Sequence, residues 1–229
     1  MKTLLADTGK RLFDLFFSFL GVLLLAPILV LIAMLIKLAS PGPVLYQGLR
    51  IGRFGRPFRI LKFRTMVVDA ERRGGSATAE DDPRLTPIGK FLRRYKLDEL
   101  PQLGNVLTGD MSFVGPRPEV QKYVERYTER EKGILKLRPG ITDWASIWNS
   151  NEAAVLKGSS DPEKAYEELI LPTKVMLQLK YLQDHSFLTD LRILFHTFAK
   201  LLREDWVPQE LRSYDKVRRY RVVASETTT

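Results

Sequence analysis

Two adjacent acids, Asp98 and Glu99, lie in a basic stretch of the chain and could do chemistry there. Residues 97–118 read LDELPQLGNVLTGDMSFVGPRP. Between residues 84 and 96 there are five basic residues and no acid, namely Arg84, Lys90, Arg93, Arg94 and Lys96. The pair could simply balance this charge. It could also hold a metal ion, or attack an electrophile whose own negative charge the arginines bind.

The arginines Arg93 and Arg117 favour phosphoryl chemistry for this pair. We expect Arg93 about one helical turn before the acids, while the proline after Arg117 presents that guanidinium from an extended backbone. Arginine matches phosphate oxygens, and two arginines with a divalent cation would remove the repulsion between a carboxylate and a phosphate. Magnesium accepts one or two carboxylates with phosphate oxygens, so Asp98 and Glu99 are candidate Mg²⁺ ligands. A purely structural alternative is a capping aspartate followed by a glutamate that complements a helix dipole.

The charge distribution points to anionic partners. The formal net charge is +9, and residues 1–118 hold 18 basic and 10 acidic residues, so most of the excess lies in the half with the acid pair. Such an excess suggests phosphates, from nucleic acid, anionic lipid or a nucleotide. The chain has no cysteine and two histidines, which excludes disulfides, thiol nucleophiles and a histidine metal cluster.

An uncharged apolar segment runs from Leu15 to Ile36 and is long enough to cross a hydrocarbon core of about 30 Å. It is too long for a secretory signal peptide and lacks the polar stripe of a soluble helix. Both flanks are basic, and basic flanks stay on the cytoplasmic side. A helix that bends at Ala26 and Pro27 and returns would keep both flanks there, whereas a straight span with a tolerated proline is the alternative.

The rest of the chain predicts an α+β fold that is mainly helical. The glycine-punctuated apolar stretch after Pro43 predicts a β-hairpin. Thr86 and Pro87 predict the start of a helix that ends near Tyr95, and Asp98 is the expected N-cap of the next helix, closed by Gly109. Further helices are expected over 119–137, 163–182 and 188–202, with a polar loop over 69–83. We therefore predict a membrane helix over 1–40, a catalytic domain over 41–204 and a tail over 205–229.

Several long stretches of the chain together resemble the bacterial sugar transferase family, the small monotopic polyprenol-phosphate phosphoglycosyl transferases. The resemblance covers about residues 10–202. The matching stretches are KRLFD, Pro27 in the apolar segment, IKLASPGPVLYQGLRIGRFGRPFRILKFRTM, LDELPQLGNVLTGDMSFVGPRP, RPGIT and SFLTDLRILFHTF. After RPGIT this chain continues DWASIWN, where many relatives have a glycine and a glutamine-bearing turn, so no sugar preference is transferred.

The resemblance implies a re-entrant membrane helix with a small catalytic domain at the membrane surface. It implies an Asp-Glu dyad, Mg²⁺, and transfer of a phosphosugar from a UDP-sugar to polyprenol phosphate with release of UMP. By position, Asp98 would be the nucleophile and Glu99 its partner at the metal. The residues assigned to substrate phosphates are Arg93, Arg117, Lys62 and Arg64.

The expected partners are therefore a UDP-sugar, polyprenol phosphate and an anionic phospholipid bilayer, without nucleic acid, at the cytoplasmic face of the inner membrane. The choice between a monomer and a homodimer stays open. Two competing functions also stay open. One is a membrane-surface phosphohydrolase that uses the same dyad with water as acceptor, and the other is a non-enzymatic protein that binds anionic lipid.

Overall fold

One long helix, α1 (Lys2–Ala39), forms the N-terminal part of the chain in the computed structural model, which describes residues 2–203 and 205–214. The helix contains Pro27 and continues through it, which gives a length of about 57 Å at 1.5 Å per residue. Its stretch Thr8–Ala39 is long and apolar enough to cross a membrane. Many of its large apolar side chains are exposed, among them Phe16, Phe19, Leu23, Leu24, Val30, Leu31, Met34 and Leu38.

The chain divides into two units. The first contains Met1–Gly74 and Asp82–Ile141, and the second contains Gly75–Asp81 and Thr142–Thr229. The acid pair, its basic surround and α1 all belong to the first unit. The division into a membrane helix over 1–40, a catalytic domain over 41–204 and a tail over 205–229 stays a prediction.

The first unit combines short helices with two small sheets. Strands β1 (Leu45–Ile51) and β2 (Pro57–Phe63) form an antiparallel hairpin in which Leu45 pairs with Phe63 and Ile51 with Pro57, as the glycine-punctuated stretch predicts. After these strands come α2 (Ala70–Arg73), α3 (Pro87–Arg94), α4 (Gln102–Thr108), β3 (Ser112–Val114), α5 (Gln121–Val124) and β4 (Gly140–Thr142), with β3 paired to β4. The prediction of an α+β, mainly helical fold is confirmed.

Both ends of α1 contact the rest of the first unit. Near its N-terminus, Arg11 donates hydrogen bonds to the carbonyls of Val106 (2.6 Å) and Leu107 (3.1 Å) at the end of α4. Near its C-terminus, Ile32 and Ile36 are buried in one apolar cluster with Phe63 of β2 and Leu92 of α3. Asp14 and Ser18, also on α1, are buried. The helix therefore lies against the unit along one side and exposes its other sides.

The second unit is helical in its described part. Its elements are α6 (Trp144–Trp148), α7 (Glu152–Val155), α8 (Pro162–Ala165), a π-helical turn (Tyr166–Ile170), α9 (Leu171–Asp184), α10 (Phe187–Leu202) and a 3₁₀ turn (Gln209–Leu211). The expected helices over 163–182 and 188–202 are found, and the π turn interrupts the first of them just before Pro172. Most of the predicted tail, residues 215–229, lies outside the described residues.

The single helix expected over 119–137 is wrong. The structure has only α5 (Gln121–Val124) and a 3₁₀ segment, Glu131–Lys136. Between them the side chain of Glu131 accepts hydrogen bonds from the backbone N–H of Thr128 (2.7 Å) and from its hydroxyl (2.9 Å). Such local bonds offer the backbone an alternative to helical pairing.

Candidate active site

The acid pair lies in a tight turn between α3 and α4. Lys96 adopts the left-handed conformation with φ 57°, and a 3₁₀ turn, Leu97–Glu99, follows it. The expectation that Asp98 caps the next helix is wrong, because Asp98 is inside this turn and the residue that precedes α4 is Pro101. The carboxylate of Asp98 is thereby released from a capping role and is available to other groups.

Helix α3 is fixed close to the end of β2. The hydroxyl of Thr86 accepts a hydrogen bond from the N–H of Gly89 (3.0 Å), as expected for a helix start with proline at the next position. A Cβ atom at Gly89 would overlap the carbonyl oxygen of Thr65. This close approach requires glycine, and it sets the direction from which Arg93, one turn further along α3, approaches the acids.

Helix α4 is tied to β2 by Asn105. The Asn105 side-chain oxygen accepts from the N–H of Leu61 (2.8 Å), and its amide nitrogen donates to the carbonyl of Arg59 (2.8 Å). These two bonds replace ladder partners on one edge of β2. They place Lys62, the next residue of that strand, beside the turn that carries the acids.

Glu99 is surrounded by two cations. Lys62 Nζ lies 2.7 Å from Glu99 Oε1, and the Arg117 guanidinium binds both carboxylate oxygens, with Nη1 at 3.2 Å from Oε2 and Nη2 on Oε1. Burial would raise the pKa of Glu99, but the positive charges of Arg117 and Lys62 outweigh it and hold the pKa well below the ordinary range. Glu99 is therefore ionised, and its carboxylate holds the side chains of Lys62 and Arg117 in position.

Asp98 has a different environment from its neighbour. It is 5% exposed, and among the described residues its carboxylate accepts no hydrogen bond and forms no ion pair within 4.0 Å. Burial raises the pKa of Asp98, and the charge of Glu99 adds to this, while the charges of Lys62 and Arg93 oppose it. A desolvated carboxylate without hydrogen bonds, held close to cations, has the properties of a nucleophile or a metal ligand.

Arg93, in the last turn of α3, is half-buried beside the two acids. Within the described part of the chain its guanidinium makes no hydrogen bond or ion pair, although the charges of Asp98 and Glu99 act on it. Burial lowers its pKa, yet an arginine stays charged at any physiological pH. A half-buried cation without a hydrogen-bonded partner is suited to the oxygens of a bound phosphate.

Arg117 reaches the site from the turn after β3. A Cβ atom at Gly115 would overlap the carbonyl oxygen of Arg138, and Gly140 N–H donates to the Pro116 carbonyl (3.1 Å). The turn is thus pressed against the segment that leads into β4. The extended, stiff presentation of Arg117 stays a prediction, and the structure adds Glu99 as the partner of its guanidinium.

Arg64 lies elsewhere. Its guanidinium donates to the carbonyls of Pro41 (2.7 Å) and Ser40 (2.9 Å) and to the Ser40 hydroxyl (2.8 Å), and the residue is 6% exposed. These bonds fix the connection between α1 and β1. The structure therefore brings Lys62, Arg93 and Arg117 together with the two acids, whereas Arg64 is committed to the backbone of that connection.

Gln102 is a polar residue at this turn that sequence reasoning misses. It begins α4 and is 0% exposed, and neither its amide nitrogen nor its amide oxygen has a hydrogen-bond partner among the described residues. The sequence holds only a weak signal for it, namely an amide one turn after the acids.

A magnesium ion fits the donor set at Asp98. Among the described residues no group of three or more acidic, histidine or cysteine side chains could hold a metal by itself. Asp98 has its oxygens free of hydrogen bonds from described residues, whereas both oxygens of Glu99 contact Arg117. Since Mg²⁺ binds through one or two carboxylates plus phosphate oxygens and water, Asp98 with a substrate phosphate can supply its ligands.

Comparison with known proteins gives the family. The family described as "Bacterial sugar transferase" matches residues 5–204, and the chain belongs to it. It is 39% identical over 196 residues to the UDP-glucose:undecaprenyl-phosphate glucose-1-phosphate transferase of Escherichia coli (strain K12), an alignment covering 83% of this chain and 39% of that protein. It is also 39% identical over 205 residues to the exopolysaccharide production protein PSS of Rhizobium leguminosarum bv. phaseoli, covering 84% and 94% of the two chains.

A further relative differs in the sugar that its name states. The putative undecaprenyl-phosphate N-acetylgalactosaminyl 1-phosphate transferase of Bacillus subtilis (strain 168) is 44% identical over 127 residues, covering 56% of this chain and 71% of that protein. The chain spans about two fifths of the length of the Escherichia coli relative. The names of these relatives include both glucose and N-acetylgalactosamine, so they do not fix a sugar for this chain.

Proposed function

We propose that this protein is a phosphoglycosyl transferase that moves a phosphosugar from a UDP-sugar to polyprenol phosphate, an early membrane step in exopolysaccharide or glycoconjugate synthesis. The observation that carries the proposal is the contrast within the dyad. Glu99 is bound by Lys62 and Arg117, while the adjacent Asp98 carboxylate is buried without a hydrogen bond from any described residue. Glu99 therefore holds Lys62 and Arg117 in position, and Asp98 is the reactive carboxylate.

The reaction proceeds in two displacements at one phosphorus. An oxygen of Asp98 attacks the phosphorus that carries the sugar, and the bond from that phosphorus to the bridging oxygen breaks, so UMP leaves with the bond's electron pair. An oxygen of polyprenol phosphate then attacks the same phosphorus, and the bond to Asp98 breaks. The products are polyprenyl-diphosphate-sugar and a regenerated Asp98 carboxylate. If the acceptor phosphate arrives protonated, its proton passes to solvent, because the lowered pKa of Glu99 makes that carboxylate a poor base.

The cations of the site bind the phosphates. Arg93 has no hydrogen-bonded partner within the described chain and is directed to the donor's phosphate oxygens. Arg117 and Lys62 share Glu99, and each retains donor capacity toward a phosphate because both have several N–H groups. We leave Arg64 out of this set, since its guanidinium is bound to the backbone at Ser40 and Pro41.

Magnesium is the proposed cofactor. Asp98 and the donor's phosphate oxygens would hold it, and Glu99 would join the metal when one of its contacts to Arg117 or Lys62 is exchanged. When bound, the ion supplies charge neutralisation that allows an anionic nucleophile to approach an anionic phosphate.

The contacts of α1 support a re-entrant membrane arrangement. Because Arg11 and Ile36, near its two ends, both contact the first unit, the ends cannot lie on opposite sides of a bilayer unless this polar unit enters it. We therefore propose that α1 enters and leaves the membrane on one side, bending in the lipid at Ala26 and Pro27. The basic flanks support the cytoplasmic face for that side, with the catalytic unit on an anionic phospholipid surface.

An assay of both half-reactions tests the function. Purified protein is incubated with Mg²⁺ and each of a panel of UDP-sugars, first without and then with polyprenol phosphate. Release of UMP and a phosphosugar mass increment on the peptide that contains Asp98 should appear without the lipid, and turnover should require it. Asp98→Asn should abolish the labelled peptide and the turnover with lipid. Asp110→Asn, at an exposed aspartate of the same unit, should leave both at the wild-type level.

The outcomes separate the competing functions. A phosphohydrolase would release UMP continuously without the lipid, and a lipid-binding protein would release none under either condition. Turnover that requires both substrates at once, with no labelled peptide after rapid quenching, would leave Asp98 as a metal ligand and reject the covalent route.

A further inference from the structure

Gln102 is a buried amide without a partner. It is 0% exposed, and both its Oε1 and Nε2 lack hydrogen bonds within the described residues. Asn105, three residues later in the same helix, is also buried, but its amide is bonded on both sides. The two amides of α4 therefore differ, because one has a structural role and the other has none visible in the fold.

Such an amide is unfavourable for the fold by itself. A buried polar group without a partner keeps the full desolvation cost, and an apolar side chain of similar shape would be at least as stable there. Native proteins pair almost all such groups, so the exceptions usually have a partner that arrives later, either an ordered water or a ligand. The fold alone does not explain a glutamine at this position.

The position of Gln102 in the chain makes Asp98 a candidate for that partner. The backbone is helical from the turn Leu97–Glu99, through Leu100 and Pro101, into α4. In an α-helix the Cα–Cβ bonds are tilted toward the N-terminus. Gln102 is the first residue of α4 and follows Asp98 by about one turn, so its Cα–Cβ bond is tilted toward the turn that carries the buried carboxylate.

The hydrogen-bonding groups of Asp98 and Gln102 are complementary. Asp98 is an acceptor without a donor among the described residues, and the Gln102 Nε2 is a donor without an acceptor. The alternative acceptor, Glu99, already has Lys62 and Arg117 on its oxygens. A hydrogen bond between Asp98 and Gln102 would satisfy both groups without disturbing Glu99.

We propose that Gln102 is a positioning residue for Asp98, whose Nε2 donates, directly or through one ordered water, to the carboxylate oxygen that does not attack phosphorus. This inference rests on the proposed function. The bond forms when the substrate phosphate fixes the carboxylate, and it leaves the other oxygen directed at phosphorus. Gln102 does not touch the transferred group, so its loss slows the attack without changing how the UDP-sugar binds.

The test is Gln102→Met, which keeps an unbranched side chain and good helix propensity but removes the amide. The expected result combines two measurements. The Tm should be equal to or above that of the wild type, because an unpaired buried amide is removed. Single-turnover formation of the Asp98 adduct should slow by about 10- to 100-fold, as expected for loss of one hydrogen bond to a charged group, with KM for the UDP-sugar within about twofold.

Two matched variants provide the comparison. Asn105→Leu removes a buried amide that is fully bonded, and it should lower Tm by roughly 5 °C or more. Gln121→Met makes the same replacement at an exposed glutamine of α5, whose amide donates to the exposed carboxylate of Glu125 (2.7 Å), and it should leave Tm and adduct formation unchanged.

The outcomes are distinct. Adduct formation at the wild-type rate in Gln102→Met would overturn the inference while leaving the transferase in place. A fall in Tm together with a rise in KM would assign Gln102 a structural role and overturn it as well. A wild-type protein that forms no adduct with any UDP-sugar would overturn both the covalent mechanism and the role of Gln102, since Asp98 would then have no attack to orient.

Discussion

Lys62 Nζ lies 2.7 Å from Glu99 Oε1, and this ion pair joins strand β2 to the turn that carries both acids. Burial lowers the pKa of Lys62, and the charge of Glu99 acts in the opposite direction. The pair is largely buried, so each partner depends on the other for compensation of its charge. It also gives the two acids different roles, because Glu99 is engaged and Asp98 is not.

Lys62→Met should impair catalysis and shift its pH dependence. The Lys62 charge lowers the pKa of Asp98, so its removal raises that pKa further. Since Asp98 must be ionised to attack, the acid limb of adduct formation should move to higher pH. The measurement is the single-turnover rate of UMP release as a function of pH. Lys90→Met, at an exposed lysine of α3, should keep the wild-type profile, and an unmoved limb in Lys62→Met would contradict the proposed electrostatics.

Asp98→Asn should stabilise the protein at neutral pH while it abolishes activity. Burial raises the pKa of Asp98, so the folded state binds this proton more tightly than the unfolded chain. The corresponding stability is fully present below the unfolded pKa of about 4 and is lost as pH rises through the folded pKa. Asparagine carries no charge to desolvate, so Tm should rise at pH 7.

The gain in Asp98→Asn should shrink as the pH approaches about 4, where the wild-type carboxyl is protonated as well. Thermal melts of both proteins at several pH values measure this. Asp110→Asn is the exposed comparison, and its Tm should stay within about 2 °C of the wild type throughout. A lower Tm for Asp98→Asn at neutral pH would show that its charge stabilises the fold.

Arg117→Lys should reduce activity although the formal charge is unchanged. The guanidinium of Arg117 contacts both oxygens of Glu99, and lysine cannot make this two-pronged contact. We expect a loss of about 2–4 kcal/mol of transition-state stabilisation, which is about 30- to 1,000-fold in rate. Arg56→Lys, on the exposed turn before β2, is the matched control and should keep wild-type turnover. Wild-type turnover in Arg117→Lys would mean that Arg117 only stabilises the turn after β3.

Cysteines introduced near the two ends of α1 should be labelled from the same side of the membrane. The chain has no cysteine, so Gly9→Cys and Ala39→Cys each give a single reactive site. A Cβ atom at Gly9 would have open space for 4 Å around it, and Ala39 is exposed. A reagent confined to the cytoplasmic side should modify both in sealed vesicles. Modification of Gly9→Cys only from the opposite side would establish a straight span.

The sequence predicts those parts of the fold that short-range rules decide. Thr86 and Pro87 carry a helix start within three residues, and Gly109 with φ 92° ends α4, because capping chemistry and a left-handed turn are local requirements. The segment around Thr128 and Glu131 is also local, but there two weak preferences compete. Side-chain bonds to the backbone prevail over the helical pattern, and composition does not reveal this in advance.

The site depends on contacts between distant residues and is less predictable. The sequence places Asp98, Glu99, Arg93 and Arg117 near one another, but it does not show that Glu99 rather than Asp98 takes the cations. Lys62 and Glu99 are 37 residues apart, and their pairing depends on how Asn105 ties α4 to β2. For the same reason, Arg64 cannot be distinguished from Lys62 by sequence, although one binds a connecting turn and the other an acid.

The position of α1 against the first unit determines how a water-soluble form of this protein could be made. A chain that begins at residue 41 would uncover Phe63 and Leu92, which now pack with Ile32 and Ile36. It would also leave the carbonyls of Val106 and Leu107 without Arg11. Deletion would thus remove part of the unit's own interior. Exposed residues of α1 such as Leu23, Leu24, Val30 and Leu31 could instead be replaced with polar ones. The exposed side of α1 would then favour water, and the buried side would still pack against the rest of the first unit.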